Sequence, residues 1–147
     1  MITSTDPASL LRHSLRANAW FSGLSGLLFL LAAHPVATFL GLDAPWMVRA
    51  LGPGLLVYAL WLGFISRRST PDCREVWSAI ALDGVWVIGS ALLLLGELLP
   101  LSTSGLWAIG IVADIVACFA VLQIYALFTF KSAVALYPST AEVHHCT

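Results

Sequence analysis

Charge is what this chain has least of. Only 10 % of its 147 residues are charged, seven Lys and Arg against eight Asp and Glu, and the formal net charge is −1. A soluble domain carries roughly 25 % charged and 45–50 % apolar residues. With 59 % hydrophobic residues, this chain cannot hide its apolar surface in an aqueous fold. Nucleic acid is not expected as a partner, because backbone binding needs clustered Lys and Arg.

Ligating and nucleophilic side chains are scarce as well. Cys73, Cys118 and Cys146 form no Cys-x-x-Cys pair, which removes disulfide-exchange chemistry of that type. Cys73 and Cys146 fall on the side expected to be cytoplasmic and read as reduced thiols; Cys118 reads as a packing residue. A membrane haem needs axial ligands inside the bilayer, yet His13 and His34 stand at span edges. His144-His145-Cys146 lies in the terminal tail, where adjacent soft ligands give incidental metal affinity. There is no nucleophile motif, no phosphate-binding Gly loop and no zincin motif. No metal site, cofactor or enzymatic activity is expected.

What the chain has instead is apolar length. Four windows, about residues 17–33, 47–65, 76–99 and 106–130, match the ~20 residues that cross ~30 Å of hydrocarbon. They predict an all-α fold over 1–147, an antiparallel four-helix transmembrane bundle in the inner (plasma) membrane, with polar tails at 1–6 and 132–147. Arg12 and Arg16 precede the first span, Arg67, Arg68 and Arg74 separate the second and third, and Lys131 follows the fourth. The opposite loops hold only Arg49, so both termini are expected in the cytoplasm. The first span also has the form of a cleaved signal peptide, since two arginines precede a run ending Leu31-Ala32-Ala33. The long segment before it, Pro35 close behind it and the charge pattern favour a retained span.

Local signals divide the spans. Asp6-Pro7 and Thr70-Pro71 read as caps followed by proline at the head of a helix. Val36–Leu40, closed by Gly41, reads as a short interfacial helix. Gly52-Pro53-Gly54 places a helix start or a bend at Pro53. On the outer surface Arg49 and Glu97 are expected to pair, a contact worth ~0–1 kcal/mol when exposed.

Polar residues inside the spans form the candidate site. Asp83, Ser90 and Glu97 recur every seventh residue, a step of about 700° that keeps them on one helical face with Trp86 beside them. Asn18, Ser22 and Ser25 form a second stripe, with Gly23 and Gly26 alongside, and Ser22-x-x-x-Gly26 is a small-xxx-small pair suited to close helix packing. In the fourth span Gly110, Asp114 and Cys118 share a face and Gln123 points the other way. The spacing of Asn18 and Ser25 is repeated by Asp83 and Ser90 at an offset of 65, as a duplicated helical hairpin would give. A carboxylate at the centre of a span costs ~2.5–3.5 kcal/mol on insertion scales, and two of them, Asp83 and Asp114, suggest a use. They stand at different depths and do not form a dyad. Two functions follow: a non-catalytic membrane subunit or interaction protein whose polar stripes mate helices, or a small proton- or cation-coupled transporter or channel using Asp83 and Asp114. The partners are then the lipid bilayer and either another membrane protein or further copies of the chain.

Leu15-Arg16-Ala17-Asn18-Ala19-Trp20-Phe21-Ser22-Gly23-Leu24-Ser25-Gly26, with Asp83-Gly84-Val85-Trp86-Val87-Ile88-Gly89-Ser90, resembles small four-helix inner-membrane proteins of bacteria. The resemblance spans about residues 10–130. It implies the topology and no activity.

Overall fold

The computed structural model describes residues 7–68, 72–96 and 99–136. Five helices follow in order: α1 (Pro7–Leu31), α2 (Ala33–Leu40), α3 (Pro45–Ile65), α4 (Cys73–Leu95) and α5 (Thr103–Leu136). Three of them, Pro45–Ile65, Cys73–Leu95 and Thr103–Ser132, are long and apolar enough to cross a membrane. A fourth such segment results if α1 and α2, bent by 97° at their junction, are counted together.

The helix starts follow from local chemistry. The α1 helix opens at Pro7, where a missing N–H costs nothing; its expected cap Asp6 lies outside the described residues. The same holds for Thr70-Pro71, and the cap observed on α4 is Asp72, whose side chain accepts a hydrogen bond from the Arg74 N–H at 3.0 Å. The α2 helix begins at Ala33, earlier than expected, and ends on Gly41 with φ of 83°, a left-handed residue that returns its N–H to Thr38. The α3 helix removes one of the two readings of Gly52-Pro53-Gly54: it starts at Pro45 and continues through Pro53, so Pro53 is interior and not the helix start. Pro45 already supplies the start signal, and an interior proline is tolerated in an apolar helix held by its neighbours.

Two places set how the helices meet. Gly26 of α1 and Gly52 of α3 touch backbone to backbone, since a Cβ on either would lie 3.0 Å from the other's carbonyl oxygen. Gly23 faces Ala59 in the same seam. The small-residue stripe is thus a packing face, as the spacing implied. The second place joins the end of α2 to the start of α5. The Ser102 N–H donates to the Leu40 carbonyl at 2.8 Å and its hydroxyl to the Phe39 carbonyl at 2.7 Å, while Gly105 leaves room for Leu40. The negative end of one helix there meets the positive end of another.

The main apolar cluster is built by Leu11 and Leu15 of α1, Leu62 and Ile65 of α3, Val76, Ala79 and Ile80 of α4, and Ala126 and Leu127 of α5. Two cysteine expectations fail. Cys73 is disulfide-bonded, and Cys118 is exposed on α5 rather than packed. Glu97 lies outside the described residues, as does the His144-His145-Cys146 tail; Arg49 is exposed.

Candidate functional site

The polar centre of the molecule is the carboxylate of Asp83, 2 % exposed on α4. Three other helices reach it. Asn18 of α1 donates through Nδ2 to Oδ2 at 2.7 Å, Gln123 of α5 donates through Nε2 to the same oxygen at 3.3 Å, and Tyr58 of α3 donates its hydroxyl to Oδ1 at 2.8 Å. Ser22 extends the group by donating to Asn18 Oδ1 at 3.3 Å. One aspartate therefore joins all four long helices.

The proton count narrows the chemistry. Tyr58 has a single proton and two acceptors, Asp83 Oδ1 and the Ala79 carbonyl, the latter at 3.2 Å. As an anion Asp83 accepts from Tyr58, whose proton is shared with the Ala79 carbonyl; a proton on Oδ1 would turn that contact round, Asp83 donating to the Tyr58 oxygen and Tyr58 to Ala79, with Oδ2 accepting from both amides in either case. No Lys or Arg joins this hydrogen-bonded group. Among the described residues two buried side-chain atoms stay unsatisfied, Gln123 Oε1 and Trp86 Nε1.

Of the residues singled out in the sequence, the structure brings together Asn18, Ser22 and Asp83. Ser90 is buried two turns further along α4, Ser25 is half-buried, and neither bonds to Asp83. Trp86 is half-buried beside them. Asp114 is separated from the rest. It is exposed on the opposite side of α5, above a shallow hollow of about 430 Å³ lined by Thr103, Leu106, Trp107, Gly110 and Ile111.

That reversal on α5 has a plain cause. Gln123 and Asp114 are nine residues apart, about 900°, so one faces in when the other faces out. Both faces of α5 are apolar, and packing against α1 and α4 selects the one with Val116, Gln123, Ala126, Leu127 and Phe130. A signal for Gln123 did exist: Asn18 is the only asparagine in the chain and Gln123 the only glutamine. Both end on Asp83. An amide in an apolar helix demands a partner, and a lone pair of amides points to a shared one.

The offset of 65 also extends beyond its original two positions. Asn18 and Asp83 share it and touch; Tyr58 and Gln123 share it and meet on the same carboxylate. Leu11 and Val76, Leu15 and Ile80, and Leu62 and Leu127 repeat it as buried pairs. The halves α1–α3 and α4–α5 thus present the same register to the core.

No protein-family model, no curated protein and no solved structure matches this chain. The likeness of Leu15–Gly26 and Asp83–Ser90 to small four-helix membrane proteins therefore rests on those residues alone.

Proposed function

We propose that the protein is a non-catalytic, multi-pass membrane subunit, an antiparallel four-helix transmembrane bundle in which Asp83 locks the helices in register. The observation that carries this reading is the saturation of Asp83 by side chains from three other helices. A carboxyl whose two oxygens are both engaged from within the chain works as a clasp. The only asparagine and the only glutamine are spent on it.

The exterior supports the bilayer. Leu24, Leu31, Leu60, Val85 and Leu95 stand exposed, which water would penalise and lipid would not. On α5 the exposed Trp107 and Tyr125 are eighteen residues apart, about 27 Å of helix, close to the separation of the two interfacial aromatic belts. Gly23 against Ala59 and Gly26 against Gly52 fit helices that run in opposite directions, because rising numbers in α1 meet falling numbers in α3. In lipid, burial of apolar surface drives little association, so close glycine contacts and buried hydrogen bonds take over that role.

The arginine asymmetry favours cytoplasmic termini. The disulfide at Cys73 pulls the other way, toward an oxidising compartment. Impermeant thiol labelling of intact cells distinguishes them: engineered cysteines at Thr5 and Ser139 stay shielded and one at Ser104 reacts if the arginines decide.

The subunit reading is tested in proteoliposomes. Under an imposed proton or alkali-cation gradient the purified chain should carry no flux. A flux that disappears in a folded Asp83→Asn variant, whose amide cannot titrate, would replace the clasp by a relay.

A further inference from the structure

Arg49 is the only charged residue of α3, and Asp114 stands on α5; both are exposed. Each lies nine residues before the residue of its own helix that reaches Asp83, Arg49 before Tyr58 and Asp114 before Gln123. Nine residues turn a helix by about 900°, so each charge faces away from the clasp, and they rise about 13 Å, which sets both charges at one height above it. They are also equivalent under the offset of 65 that relates the two halves of the core. A cation and an anion therefore occupy matching positions on two different helices, both of which pack on α1.

We propose that the protein assembles head to tail with further copies of itself, Arg49 of one copy pairing with Asp114 of the next. The argument is one of charge complementarity. Asp114 lies well inside α5, where a charge facing lipid is costly, Arg49 stands near the outer end of α3, and neither has an ion-pair partner among the described residues, whose one salt bridge joins Arg68 and Glu75. A second copy in the same membrane orientation supplies the opposite charge at the same height to both. A two-fold interface would bring each patch against itself; matched opposite charges on different helices suit a heterologous contact, which closes into a ring or continues as a row. The open hollow beside Asp114, lined by Trp107 and Gly110 among others, leaves space next to the carboxylate on that face of α5. Arg binds a carboxylate through two parallel hydrogen bonds, so the pair would also fix the angle between copies.

This proposal rests on the membrane reading, which fails separately if the chain stays in solution without detergent. The test uses the full chain in mild detergent, with mass measured under native conditions, and differently labelled copies mixed in vesicles for energy transfer. The wild type forms oligomers; Arg49→Gln and Asp114→Asn each associate roughly tenfold more weakly or worse. Mixing the two variants restores one intact contact per pair, so the mixture gives dimers and nothing larger. The exchanged variant, Arg49→Asp with Asp114→Arg, regains the wild-type assembly. A monomeric wild type, single variants that keep its mass, or a mixture that stays monomeric would each overturn the proposal. The mixing result also separates a lost contact from a variant that fails to fold, since a misfolded chain rescues nothing.

Discussion

Asp83 and Asp114 are the same side chain on neighbouring apolar helices, and the fold treats them in opposite ways. Asp83 is enclosed, and its oxygens take hydrogen bonds from α1, α3 and α5. Asp114 looks outward from α5 beside Trp107 and Gly110, with no hydrogen bond or ion pair to its side chain among the described residues. The difference teaches where each carboxyl's interaction energy is realised. For Asp83 it is realised within one copy and should appear as stability of the isolated chain. For Asp114 it awaits another molecule and should appear only in association.

The comparison breaks most directly at Asp83→Leu, the largest effect expected. Leucine leaves the buried Asn18 and Gln123 amides without their shared acceptor, each at ~1–3 kcal/mol, and leaves the half-buried Tyr58 hydroxyl with the Ala79 carbonyl alone. The total should reach about 3 kcal/mol or more, read as a lowered midpoint of thermal unfolding in detergent. If Asp114→Leu destabilises the monomer equally, the contrast between the two sites is wrong.

Next comes Gly105→Ala, which probes what holds the Asp114 end of the bundle in place of a carboxylate. A Cβ there would lie 2.6 Å from the Leu40 carbonyl oxygen, in backbone that cannot move aside cheaply. The expected cost is ~1–3 kcal/mol, the usual range for overpacking. An unchanged unfolding midpoint would show that the α2–α5 junction carries no stability.

Tyr58→Phe sharpens the account of the clasp by deleting one hydroxyl and nothing else. A loss of about 1 kcal/mol is expected, with Asn18 and Gln123 still in place. Asp83→Asn should cost less, because its amide keeps an oxygen for Asn18 and Gln123 and gains a donor for Tyr58. Equilibrium unfolding of the two variants side by side orders them; an Asn variant less stable than the Phe variant would show that Asp83 is held as an anion.

The smallest effect belongs to Asp114→Asn in the monomeric chain, within about 0.5 kcal/mol of wild type, as for an exposed position with no partner. A clear loss of stability there would mean that Asp114 finds an intramolecular contact.

Much of this architecture was legible because its causes are local. Apolar helices of spanning length, three or up to four if α1 and α2 count together, proline at the head of α1, the glycine stop after α2 and the Ser22-x-x-x-Gly26 packing stripe each have local causes. The candidate site was legible only in part. Asn18, Ser22 and Asp83 can be named from their stripes, but the same spacing groups Asp114 with them and points Gln123 away.

By itself, then, the sequence determined the helices, the places where they could come close, and the demand of each polar group in an apolar helix for a partner. The backbone hydrogen bonds of a helix are satisfied within a few residues, and an apolar run needs no distant contact to be apolar. Only the tertiary structure decided which partner answered which demand. A helix apolar on every side, such as α5, carries no periodicity to say which face turns inward. Rotating it by half a turn would exchange Gln123 for Asp114, and the choice is made by the close packing of α5 on α1 and α4, between residues far apart in the chain.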